Sequence, residues 1–164
     1  MAVLSWGKPK VEVAPYVNGA LPSTPSWQTL PEIQQGSAQL TTEEGDRQEA
    51  LEEGGGLVDV RYNKNRYTFT LALFIKKGDS KPISDDDGVV TNNYAVRLTP
   101  EDTACAGFLL PKCSVSVQES WTSADGGLWT YTFSALKPAS GTMLQRYTGS
   151  ASGSGSGSGG GGEA

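Results

Sequence analysis

Histidine is absent from this 164-residue chain. Within one chain, that removes Ser–His and Cys–His catalysis, histidine metal sites and histidine pH switching. Cysteine is scarce: only Cys105 and Cys113 are present. A disulfide between them is open, but without a secretory leader the pair is expected to stay reduced and pack as small apolar groups. Long apolar runs are missing too. No stretch approaches the roughly twenty apolar residues that span a bilayer, and Met1–Lys10 holds no continuous apolar run of signal-peptide length. The expectation is a soluble protein without a membrane anchor, made and kept in the cytoplasm. Basic charge is in deficit, with 13 Lys and Arg against 18 Asp and Glu and a net charge of −5. Such a chain is not drawn to phosphate backbones, so sequence-independent nucleic-acid binding is not expected. The same acidity suits a surface past which DNA slides without sticking.

Chemical motifs are missing as well. There is no phosphate-binding glycine loop followed by Lys-Ser or Lys-Thr, and no CxxC pair. Carboxylates are plentiful, which leaves a two-carboxylate hydrolase formally open. No pair stands out, because the acids lie mostly in glycine-rich turns. The expectation is that the protein is not an enzyme and carries no cofactor and no metal. Asp85-Asp86-Asp87-Gly88 lacks the alternating oxygen ligands and distal glutamate of a calcium loop and reads as an acidic turn.

What is present is β structure, and its strongest statement runs from Leu57 to Lys77. Val58, Val60 and Tyr62 fall on one face of a first arm, against Leu57, Asp59 and Arg61. In a second arm Tyr67, Phe69, Leu71, Leu73 and Ile75 alternate with Arg66, Thr68, Thr70, Ala72, Phe74 and Lys76. Period two along the chain marks half-buried strands. Asn63-Lys64-Asn65 tolerates a left-handed turn, so the two arms are expected to pair as a hairpin.

Elsewhere Lys10–Tyr16 reads as a short strand stopped by Pro15. The segment from Asn18 to Pro31, with Pro22 and Pro25, reads as an irregular loop anchored in the core by Trp27. Gln39–Glu53 is ambiguous. Thr41-Thr42-Glu43-Glu44 resembles a capping box and Glu49–Glu53 has good helix formers. Yet Gly45 interrupts it, Gly54-Gly55-Gly56 ends it, and its few apolar residues are too sparse for a helix stripe. It reads as an acidic exposed loop, or as a strand that orders against a partner. Val89–Leu98 contains another strand. Thr99-Pro100-Glu101-Asp102 reads as the start of one short helix. Cys113–Leu136 reads as a second hairpin: Cys113, Val115 and Val117 alternate with Ser114, Ser116 and Gln118, and Trp129, Tyr131, Phe133 and Ala135 alternate with Leu128, Thr130, Thr132 and Ser134, about a turn at Ser123–Gly127. Residues 149–164, made of glycine and serine apart from a few alanines and Glu163, read as a flexible coil. The organisation is therefore one domain over 1–148 and a flexible tail over 149–164.

The order of these parts resembles the tail tube (major tail) proteins of tailed bacteriophages and of related contractile injection particles. The resemblance spans Leu4 to Tyr147. It is carried by Trp6-Gly7-Lys8-Pro9-Lys10-Val11-Glu12-Val13, the proline loop with Trp27, Gly45-Asp46-Arg47-Gln48-Glu49-Ala50, Glu52-Glu53-Gly54-Gly55-Gly56 and the two hairpins. It implies a mainly β sandwich or barrel-like domain with long hairpins and one short helix. It also implies stacked homo-hexameric rings that form a virion tail conduit, assembled from subunits made in a host bacterium's cytoplasm. Tip or initiator, terminator and sheath proteins would be partners, and DNA would pass without specific binding. By this resemblance Val58, Val60, Tyr62, Tyr67, Phe69, Leu71 and Leu73 form the barrel wall. Leu40, Thr41, Glu43, Glu44, Arg47, Glu49, Leu51, Glu52 and Glu53 reach a neighbouring subunit. The alternatives are a monomeric β-sandwich binding module, with Trp121 and Trp129 near a ligand face, or another virion component.

Overall fold

The computed structural model describes residues 4–148, so the glycine-serine tail lies outside the described residues. Ten strands are formed: β1 Lys10–Pro15, β2 Gln28–Thr29, β3 Gln39–Glu43, β4 Arg47–Leu51, β5 Leu57–Tyr62, β6 Arg66–Phe74, β7 Tyr94–Thr99, β8 Gly107–Thr122, β9 Gly126–Ala135 and β10 Gln145–Tyr147. Eight belong to one antiparallel sheet in the order β2-β1-β7-β8-β9-β6-β3, with β10 also on β8. β4 and β5 make a separate two-stranded ribbon.

The long β8 joins the two halves of the sheet. Its first part pairs with β7 and β10, and its second part with β9. Between them, at Pro111-Lys112, the register against β7 slips by one residue. An extra residue in one strand moves the following side chains to the other face. The inward positions accordingly change from Leu110 to Cys113, Val115 and Val117. Proline has no amide to give a ladder and is tolerated at such an irregularity; its carbonyl accepts from the Tyr16 hydroxyl at 2.7 Å.

The core is a single cluster. Val11, Val13 and Val96 contribute from β1 and β7, and Phe69, Leu71 and Leu73 from β6. Val115, Val117, Tyr131 and Phe133 come from the β8–β9 hairpin. The alternation in β6 coincides with burial: Phe69, Leu71 and Leu73 are buried, and Tyr67 packs against them half-exposed. The second expected hairpin also forms. Val115 lies opposite Phe133 and Val117 opposite Tyr131, and β6 adds Phe69 and Leu71 on the next rung. Phe69 meets Phe108 edge-on at 5.2 Å and stacks on Phe133 at 6.1 Å. Such pairs add to the burial energy of the rings themselves.

The short helix does not form. Asp102 instead closes a turn, accepting from the Ala104 amide with its side chain and from the Cys105 amide with its carbonyl, both at 3.0 Å. Aspartate competes for nearby backbone donors in this way outside helices, and Gly107 starts β8 before a second helical turn could follow. Trp27 is not a core residue either. It is half-exposed and lies over the Arg97 guanidinium, 4.0 Å away. Arg97 in turn makes two hydrogen bonds to Glu12, of 3.2 and 3.1 Å, and faces the Tyr147 ring at 4.9 Å. This cluster ties β1, β7, the proline loop and β10 together. Cys105 and Cys113 are both free thiols. Among the described residues no helix is long and apolar enough to cross a membrane.

Candidate functional site

The expected pairing of the Leu57–Tyr62 and Tyr67–Phe74 arms does not occur. β5 pairs with β4, and β6 pairs with β3 and β9. The two proposed halves of a barrel wall therefore lie in different sheets. The reason is that Gln39–Glu53 is neither loop nor helix but two strands that compete successfully for these partners. The closing turn is at Glu52–Gly56, where Gly54 and Gly55 take φ of 102° and 92°, a region that disfavours any side chain. The Glu52 carbonyl accepts from the Gly55 amide at 3.0 Å, and the Gly56 carbonyl from the Glu52 amide at 2.8 Å.

β3-β4 and β5-β6 are one long hairpin. In β3–β6 Glu43 faces Arg66, and in β4–β5 Arg47 faces Tyr62, so the register crosses the gap between the two sheets unchanged. The gap is a neck. Asn63-Lys64-Asn65 lies opposite Glu44-Gly45-Asp46, with the Asn63 amide donating to the Asp46 carbonyl at 2.9 Å. The Gly45 amide donates to the Asn65 side-chain oxygen at 3.2 Å. A Cβ on Gly45 would overlap the Asn63 carbonyl, so close backbone approach dictates glycine here. Beyond the neck the ribbon extends as an arm; at about 3.3 Å per residue, Glu44 to Glu53 spans about 30 Å.

The arm is amphipathic. Residues directly opposite across an antiparallel ribbon share a face, so Arg47 lies beside Tyr62, Glu49 beside Val60 and Leu51 beside Leu57. A bulge near Leu51 adds Val58 to this side. The other face carries Gln48, Ala50, Asp59 and Arg61. Leu51, Leu57, Val58 and Tyr62 are between 51% and 67% exposed, so nothing among the described residues covers this stripe. Arg47 bridges to Glu49 at 2.6 Å and lies 6.0 Å from the Tyr62 ring, which fixes the stripe's inner end. The apolar positions run Val58, Val60, Tyr62 before the neck and Tyr67, Phe69, Leu71 after it. Their parity changes at Asn63–Asn65.

Charge is concentrated here as well. Glu43–Tyr62 holds seven carboxylates and two arginines, a balance equal to the whole chain's −5. The rest of the chain is neutral by formal count.

The residues expected to reach a neighbour are thus divided. Leu40, Thr41 and Glu43 are built into the main sheet on β3, with Leu40 against the core. Glu44 is in the neck, Arg47, Glu49 and Leu51 are on β4, and Glu52 and Glu53 are at the tip. The same arm contains Leu57, Val58, Val60 and Tyr62, which sequence reasoning placed elsewhere. The unused signal was the charge pattern, which runs on past the glycines to Asp59.

The two tryptophans of the rival reading differ in exposure. Trp129 is buried, its indole N–H without a partner among the described residues, while Trp121 is 73% exposed at the end of the β8–β9 hairpin. At the acidic turn, Asp85 binds Lys81 and the Gly88 amide, both at 2.7 Å. The Lys81 hydrogen bond, then that of Gly88, holds its carboxyl below the ordinary range. Among the described residues no group of three or more Cys, Asp or Glu is placed to hold a metal. No family model matches the chain, and no curated protein matches it.

Proposed function

We propose that this protein is a self-assembling structural subunit, the tail tube protein of a phage or related injection particle, built into stacked hexameric rings. The observation that carries the reading is the exposed amphipathic arm. A two-stranded ribbon alone is at best marginally stable in water, and each large apolar side chain buried against a partner contributes about 1.5–3 kcal/mol. An arm that leaves four such side chains in solvent gains most of its stability on docking. The work of such a subunit is geometric rather than catalytic. Its place would be the virion tail after synthesis in the host cytoplasm, with tip, terminator and sheath proteins as further partners.

Negative-stain electron microscopy of the purified protein over a concentration series tests the proposal. Rings or hollow filaments are expected. Isolated particles at every concentration, also after addition of a tail-tip complex, would overturn it. A monomeric binding module is favoured by one observation, the exposed Trp121 beside Lys76 and Lys77. That reading predicts particles of monomer mass and saturable binding of a glycan or peptide.

A further inference from the structure

The molecule carries a groove with the properties the arm lacks. It has a volume of about 1040 Å³ and runs between Ser5–Lys10 and the segment 29–38. Its apolar walls include Trp6, Leu30, Ile33, Ala38, Phe74 and Leu98. Trp6 is 72% exposed, so one wall is available to an incoming side chain. Lys8 and Lys10 stand along it. The carboxylate on the same lining, Glu32, is engaged by Lys76 at 3.0 Å.

Position excludes the chain's own arm as the occupant. The groove touches Phe74, the last residue of β6, whereas the arm departs beyond Arg66, the first. The lining residue nearest the arm is Ala38, and the five residues of β3 separate it from Glu44 by about 20 Å of extended strand. The arm's unbroken register carries it outward from the Arg66 end. Within one copy the stripe is accordingly exposed.

We infer that the arm of one copy seats its apolar stripe in the Trp6-lined groove of a second copy. The inference rests on the self-assembly reading and names the two surfaces that meet. Leu51, Leu57 and Val58 supply the apolar insert, and Glu52 and Glu53 at the tip meet Lys8; Lys10 is already bridged to Glu12 at 3.6 Å and Glu49 to Arg47 at 2.6 Å. Because the arm and the groove are different surfaces at opposite ends of β6, the contact is head-to-tail. A head-to-tail contact leaves one arm and one groove unfilled at the ends of every oligomer, so it propagates until a ring closes or a filament grows. Opposite charge on the two surfaces sets their orientation and disfavours arm-to-arm pairing.

A cysteine trap tests this on the full chain with Cys105→Ser. Leu57→Cys and Gln35→Cys are made in separate chains; both positions are exposed, and Gln35 lines the groove. A disulfide requires Cβ atoms about 3.5–4.5 Å apart, so mild oxidation reports docking. Mixing the two chains is expected to give a covalent dimer as the major product, at protein concentrations where light scattering shows assembly. Lys8→Glu is expected to raise the concentration needed for assembly about ten-fold, the equivalent of about 1.4 kcal/mol; Lys10 is left in place because it pairs with the buried Glu12. Assemblies in which Leu57→Cys is trapped by Lys77→Cys beside Trp121, and not by Gln35→Cys, would overturn the groove and leave self-assembly standing. A wild-type protein that stays monomeric at every concentration would overturn both.

Discussion

Gly45 and Asn63 lie across the neck of the long hairpin, so close that a Cβ on Gly45 would collide with the Asn63 carbonyl. Gly45 does not have a positive φ; proximity, not backbone freedom, is the constraint. Gly45→Ala is expected to force the two strands apart at the neck. The cost is that of overpacking, about 1–3 kcal/mol, and it falls on the arm rather than on the sheet. The check is urea unfolding together with assembly. A small loss of global stability with a large loss of assembly is the expected pattern.

The Glu12–Arg97 pair gives a second prediction. Both side chains are largely buried, at 10% and 20% exposure, and Arg97 is stacked between Trp27 and Tyr147. Removing Arg97 leaves the buried Glu12 carboxylate with only the looser contact to Lys10 at 3.6 Å, so most of the cost of breaking a buried pair, about 3 kcal/mol, is expected. Arg97→Met is therefore expected to lower the urea midpoint strongly. Glu12→Leu combined with Arg97→Met is expected to recover a large part of that loss. Arg97→Lys keeps the charge but loses the fork and the flat stacking surface, and should fall between wild type and Arg97→Met.

The third prediction concerns alkaline pH. Burial pushes the Cys113 thiol up to about 12 from an ordinary 9.0, and it pushes the Tyr131 hydroxyl up to about 12 from 10.0. Between those limits the unfolded chain has lost protons that the folded chain retains. Stability then falls as pH rises, with full stability below about pH 9 and progressive loss toward pH 12. Each group accounts for at most about 1.4 kcal/mol per pH unit. Cys113→Ala is expected to flatten the slope between pH 9 and 10, and thermal melting from pH 8 to 11 measures it.

The core half of the fold was legible in the sequence because alternation there coincides with burial. Tyr67, Phe69, Leu71 and Leu73, and their partners Val115, Val117, Tyr131 and Phe133, carry large apolar side chains at period two and are buried or half-buried where that pattern puts them. The arm was not legible in the same way. Val58, Val60 and Tyr62 alternate as well as any core strand, yet alternation says that one face is apolar and not what covers it. Asn63-Lys64-Asn65 has turn chemistry but serves as a neck, since the glycines at 54–56 offer a better reversal and leave Arg47–Leu51 in register with Leu57–Tyr62. The Glu12–Arg97 cluster had no local signal; it depends on which strands become neighbours. The helix expected at Thr99 failed because capping chemistry also suits a turn, and the chain returns to strand at Gly107.

Hydrogen–deuterium exchange at low and high protein concentration tests the central claim, that the arm orders against another copy. In dilute monomer the amides of Arg47–Leu51 and Leu57–Tyr62 are expected to exchange far faster than those of Phe69–Phe74. On assembly they are expected to become protected, while β6 changes little. Arm amides as protected as β6 at every concentration, with a constant monomeric mass, would contradict the account.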